Sequence, residues 1–100
     1  MRIHWTRPAL ADLEAIGDFI ARDNPVAAER IVVSLVASVD ALRDHPNLGR
    51  PGRLPETREL VVGGTPYVVP YRVLGGDVEI LAVVHGARRW PGGFESFSWT

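Results

Sequence analysis

Apolar residues recur at Leu10, Leu13, Ile16 and Ile20, in steps of three and four, with Asp12, Glu14 and Asp18 between them. That spacing lays one apolar stripe along a helix. Thr6 followed by Pro8 opens it, because a threonine hydroxyl can accept from the first free amides and proline suits a turn whose amides have no helical partner. "RDNP" at 22–25 stops this helix and starts another, with Asn24 as cap and Pro25 in the first helical position. In the second helix Ala28, Val32, Leu35, Val39 and Leu42 alternate four and three apart, and Ile31 and Val36 widen the stripe. His45-Pro46 closes it, since a residue before proline is pushed out of the helical region, and His45 there suits the negative end of the helix dipole. So short a turn between two helices predicts an antiparallel hairpin.

Strand patterns flank the helices. "RIHW" at 2–5 is rich in strand formers, and "PNLGRPGRLPE" at 46–56 reads as a loop from its prolines and glycines. Three strands follow, "TRELVVG" (57–63), "PYVVPYRVL" (66–74) and "VEILAVV" (78–84), parted by Gly63-Gly64 and by Gly75-Gly76-Asp77, which are of hairpin length. The order β-α-α-β-β-β predicts an α+β fold in which a helical hairpin packs on one antiparallel sheet. By the two-residue strand period, Tyr67, Val69, Tyr71 and Val73 share one face, and Arg72 lies beside Val68 on the other. Pro70 cannot donate to a ladder and belongs at an edge or a bulge.

Composition narrows this further. At 100 residues with 46% hydrophobic and 23% charged positions, the chain reads as a single domain over 1–100. The absence of cysteine removes disulfides, thiolate catalysis and cysteine-based zinc sites together. His4, His45 and His85 show no metal-ligand spacing, so neither a metal nor a cofactor is expected. A net charge of −1 excludes a general nucleic-acid coat, so any cationic site has to be local. All the cationic residues are arginine, which suits planar, bidentate contacts. With no apolar leader and no membrane-length apolar run, a cytoplasmic protein without membrane association is expected.

The most abrupt change of character lies in "VEILAVVHGARRW" (78–90), where an apolar strand breaks into His85, Arg88, Arg89 and Trp90. These residues suit a recognition patch, and they equally suit a strand exit where polarity returns. His85 can exchange a proton near neutral pH, or simply close the strand with a hydrogen bond. Trp90, Phe94, Phe97 and Trp99 can anchor an interface or fold back over the sheet. Arg50 and Arg53 in the proline-glycine loop can reach an acidic partner or stay solvated.

With "PALADLEAIGDFIARDNPVAAERIVVSLVASVDALRDHPNLGRPG", then "TRELVVGGTPYVVPYRV" and "VEILAVVHGARR", the chain resembles the ParE/RelE superfamily of toxins from bacterial type II toxin–antitoxin modules. The resemblance rests on Ala11-Asp12-Leu13 with Ile16, on "HPNLGRPG", "REL", "YRV" and "HGARR" in that order. Two branches share the fold. The RelE-like branch is a ribosome-dependent mRNA endoribonuclease, and it has a basic residue on the second strand, an arginine just after the first tyrosine of the third, and an arginine beyond the fourth. Arg58 and Arg88 match the first and last of these places, but the middle one is Val68. Losing one preorganised charged donor costs on the order of 100-fold to 1000-fold in rate.

The resemblance therefore points to the ParE branch, which implies a non-catalytic inhibitor of DNA gyrase that blocks replication. It also implies a hetero-oligomer with a cognate ParD-like antitoxin that has an acidic C-terminal segment. On that reading Arg58, Arg72, His85, Arg88, Arg89 and Trp90 contact the target, while Leu13, Ile16, Ile20, Val32, Arg50 and Arg53 contact the antitoxin. The alternative is an endoribonuclease using Arg58, Arg72, His85 and Arg88, with Arg72 replacing the charge missing at 68. A third reading is an inert relative retained as an antitoxin-binding module.

Overall fold

The computed structural model describes residues 1–86. β1 (Arg2–Trp5) leads into α1 (Arg7–Ala21) and α2 (Pro25–Asp40), then a 3-10 turn (Ala41–Arg43), β2 (Arg50–Pro51), β3 (Arg58–Val61), β4 (Tyr67–Leu74), β5 (Asp77–Ile80) and β6 (Val84–His85). Both helix starts follow their local chemistry. The Thr6 hydroxyl accepts from the Ala9 amide at 3.4 Å and Asn24 Oδ1 accepts from the Ala27 amide at 3.1 Å. α2 ends earlier than its apolar period suggests: the chain tightens after Asp40, and the His45 amide donates to the Ala41 carbonyl at 3.1 Å. His45 thus follows a turn rather than capping the long helix.

The strands lie in the order β1-β5-β4-β3-β2, with β6 beside β4. The sheet is mixed, not antiparallel throughout, because β1 runs parallel to β5, in register Arg2↔Asp77 to Trp5↔Ile80. Parallel neighbours need a long crossover, and the chain between these two strands passes through both helices. The helices cover one face. Leu35, Val39 and Leu42 of the α2 side pack with Val69, Tyr71, Val78 and Ile80, while Ile3, Trp5, Leu13, Ile16, Ile31 and Tyr67 pack around them half-buried. Val73 continues the inward phase of β4 but lies past this cover and is exposed. Gly75 supplies the left-handed φ of 61° in the β4–β5 turn.

The middle of β4 is buried on its outer face as well, with Val68 6% exposed and Pro70 fully enclosed. Pro70 explains why the expected fourth strand, 78–84, is two strands. From Tyr71↔Ile80 to Val68↔Val84, β4 moves three residues while its neighbour moves four. The extra residue is a bulge. The Pro70 carbonyl faces this neighbour and accepts from the Leu81 amide at 3.0 Å. In an antiparallel ladder a residue's N–H and C=O point the same way, so the donor that proline lacks is missing where the neighbour breaks.

Candidate functional site

The break is held from α1. The Thr6 hydroxyl donates to the Ile80 carbonyl at 2.7 Å, and the Thr6 amide donates to the same oxygen at 3.1 Å. Asp12, one helical turn along from Ala9 on the inward face, accepts the Val83 amide through Oδ2 at 3.0 Å. A buried amide taken out of a ladder needs another acceptor, and the helix carboxylate provides it. Burial pushes the Asp12 carboxyl above its ordinary 3.8, and the Val83 amide partly offsets this. The folded state therefore holds the Asp12 proton more tightly than the unfolded chain does. Its contribution to stability is fully present below 3.8 and is lost as pH rises through the raised native value. We expect melting temperatures of wild type and Asp12→Asn to shift relative to one another, in favour of the variant, as pH climbs from below 3.8 to neutrality. A difference that does not vary with pH would mean that this carboxyl titrates as in an unfolded chain.

A second constellation fixes the loop between α2 and β3. Glu59 is 5% exposed and accepts from Arg50 Nη2 at 3.2 Å, the Arg53 amide at 3.0 Å and Arg53 Nε at 3.3 Å. Arg58 Nη1 donates to the Gly49 carbonyl at 2.8 Å. The Tyr71 hydroxyl accepts the Gly49 amide at 2.8 Å and donates to the Pro46 carbonyl at 2.7 Å. Burial raises the Tyr71 hydroxyl above its usual range, with the Gly49 amide and the Arg58 charge acting against it, so it remains a donor at neutral pH. Beside this loop an open groove of about 460 Å³ is lined by Ser38, Ala41, Leu48, Arg50, Leu60 and Val61.

The expected target residues do not gather at one point. Arg58 lies opposite Tyr71 on the helix-facing side, with its guanidinium turned to the loop. Arg72 is on the outer face, ion-paired with Glu79 directly across in β5. His85 lies opposite Tyr67, the rings edge-on with centroids 5.7 Å apart. Tyr67 and Tyr71 are four residues apart on β4, so Arg58 and His85 sit about 13 Å apart along it at strand rise. Arg88, Arg89 and Trp90, with the aromatic positions Phe94, Phe97 and Trp99, lie outside the described residues.

The expected antitoxin residues Leu13, Ile16, Ile20 and Val32 are half-buried. Leu13 and Ile16 pack against the core, and the same helices also expose Leu10 and Phe19 on α1 and Val26, Val33 and Val36 on α2. Arg50 and Arg53 serve Glu59 in this structure, an internal role in addition to the partner contact expected of them. Asp12, Glu59 and Tyr71 lie in motifs that carry the resemblance, but the sequence did not mark them as the groups that hold the break and the loop. For Asp12 the available signal was its helical phase beside Ala9 and Ile16, and for Glu59 it was the run of arginines around it.

A model of the ParE toxin of the type II toxin–antitoxin system parDE matches residues 3–90. The chain belongs to the ParE toxin family. Its relatives carry names from both branches. Toxin Y4kP of Sinorhizobium fredii is 50% identical over 90 residues, covering 90% of this chain and 93% of that protein. Toxin RelE2 of Caulobacter vibrioides is 42% identical, covering 87% and 97%. A structure of the chromosomal ParDE system of P. aeruginosa matches with a TM-score of 0.79 at 34% identity, covering 85% of this chain and 95% of that one. The ParE-family assignment places the chain among type II toxins with an antitoxin partner. Among the described residues no helix of this ParE-family chain is long and apolar enough to cross a membrane, and no group of three or more His, Cys, Asp or Glu could hold a metal ion.

Proposed function

We propose that this ParE-family protein is a cytoplasmic toxin that binds DNA gyrase, stabilises a cleaved gyrase–DNA complex and so blocks replication, without chemistry of its own. The observation that carries this reading is the dispersal of cationic side chains over the described sheet. Cleaving RNA at a ribose 2′-hydroxyl requires a base, an acid and cations that meet at one phosphate. Here Val68 is aliphatic and buried, Arg58 is committed to the Gly49 carbonyl, and Arg72 is paired with Glu79 on the other face. Arg72 does share the outer face with Val68, which is what the endoribonuclease alternative would use, but it lies about 13 Å further along the strand.

In this reading Arg72 and His85, with Arg88, Arg89 and Trp90, contact the target, and Arg58 supports the loop. A ParD-like antitoxin lays the apolar side of its C-terminal segment over Leu13, Ile16, Ile20 and Val32, as amphipathic helices dock in grooves. Its acidic residues reach Arg50 and Arg53 at the loop, whose side chains are about half exposed. Purified toxin added to gyrase, ATP and relaxed plasmid is expected to stop supercoiling and accumulate linear DNA once protein is removed. Supercoiling at the uninhibited rate with toxin in large excess would sink the gyrase reading.

A further inference from the structure

Leu81, Ala82 and Val83 leave the paired ladder but are only 1%, 6% and 4% exposed, and after the Leu81 amide's bond to the Pro70 carbonyl the chain crosses the interior unpaired with β4 until Val84. β6 resumes pairing for two residues, Val84 and His85. Two pairs, followed by the Gly86 amide's bond to the Pro66 carbonyl at 2.8 Å, make a short ladder with little hold on the chain before it. Immediately before them the Val83 amide is bound to Asp12 at 3.0 Å, and the Thr6 hydroxyl holds Ile80 on the near side of the break. Both anchors belong to the start of α1, and Asp12 directly precedes Leu13. The outer end of the sheet is thus referenced to a helix, not to the neighbouring strand alone.

We propose that Asp12 is a positioning residue for target binding: by accepting the Val83 amide it sets where β6 and the His85 ring lie, and it ties that placement to α1. This rests on the reading above, in which His85 contacts the target and the helical hairpin contacts the antitoxin. The link gives the two surfaces a shared element. An antitoxin segment that displaces α1 alters the acceptor for Val83, and so changes the target surface without covering it. Reciprocity follows, because a coupling between two bound partners acts equally in both directions.

The test uses the full chain and three variants. Asp12→Leu keeps the bulk and removes the acceptor, Asp12→Asn keeps an acceptor oxygen, and Val39→Ala opens a core cavity away from the break. All are assayed at a temperature where each is folded. Asp12→Leu is expected to raise the toxin concentration for half-inhibition of supercoiling by about tenfold, inside the 5–150-fold range of ordinary couplings. Asp12→Asn should change it by a small fraction of that, and Val39→Ala should not change it at all. Amide exchange at Val83 should accelerate in Asp12→Leu, and the Tyr67–His85 ring contact should weaken in its NMR spectrum. Wild-type inhibition by Asp12→Leu, or an equal loss in Val39→Ala, would overturn the proposal. Should wild-type toxin leave gyrase untouched, the functional reading fails by itself. The positioning role is then decided by NMR alone: an unchanged Tyr67–His85 contact in Asp12→Leu overturns it.

Discussion

Gly49→Ala is expected to lower the unfolding free energy by about 2–4 kcal/mol, the combined range for overpacking and for loss of a buried hydrogen bond. A Cβ at this position would stand 2.7 Å from Tyr71 Cε1, 2.8 Å from its hydroxyl and 3.0 Å from the Glu59 carbonyl carbon. Something has to move. The ring is the softer wall, but Tyr71 is fully buried, and its hydroxyl serves the Gly49 amide and the Pro46 carbonyl together. If the ring retreats, a buried donor and a half-buried acceptor lose their partners; if it stays, the loop is forced off the sheet. Urea unfolding should show a lower midpoint with an unchanged slope. Combined with Tyr71→Phe, the loss should be clearly less than the sum of the two, because both remove the same contact. Additive losses, or a wild-type midpoint for Gly49→Ala, would mean that the hydroxyl is not what holds the loop.

Glu59→Ala should have an effect of similar size but a more local one, about 2–3 kcal/mol, at or below the roughly 3–5 kcal/mol typical of breaking a fully buried ion pair. The discount has a reason. Arg50 and Arg53 have side chains 58% and 47% exposed and can return to water, leaving the Arg53 amide and the space vacated by the carboxylate as the main costs. The loop should then loosen ahead of the core. Trypsin reports this directly, since Arg53-Leu54 is a cleavable bond whereas Arg50-Pro51 is blocked by its proline. Faster cutting after Arg53 under native conditions is expected for Glu59→Ala, and an intermediate rate for Glu59→Gln, which keeps the shape but not the charge. If Glu59→Ala resists trypsin as well as wild type does, the carboxylate is not the clamp.

Much of this fold is written in local chemistry. Thr6 with Pro8 and Asn24 with Pro25 mark the helix starts because capping depends on adjacent residues alone. The inward phase of Tyr67, Val69 and Tyr71 follows from strand geometry in the same way. Pro70 shows where such reading stops. It signals a missing donor, but the bulge it provokes lies in the neighbouring strand, whose path depends on Asp12 some seventy residues away. The parallel seat of β1 is likewise hidden, since four residues of strand carry no record of which neighbour they will meet. β2 is too short to show a period and exists through Arg50 pairing with Glu59.

The candidate site divides along the same line. Arg50 and Arg53 stand out in the sequence as spare cations, yet they are held by a carboxylate that an ordinary strand pattern conceals. Arg58 and Arg72 look interchangeable along the chain. The register separates them onto opposite faces, because Arg58 lies across from Tyr71, whose immediate neighbour in β4 is Arg72, and adjacent strand residues point to opposite faces.

That separation bears most directly on whether this ParE-family toxin cuts RNA. Transcripts from cells expressing it, and from a purified translation system given the toxin, can be mapped by primer extension for new 5′ ends within codons. A sheet with buried Val68 where a cation would have to grip the phosphate predicts intact messages in both, at toxin levels that arrest growth. Efficient cleavage at ribosome-occupied codons in the purified system would contradict the account.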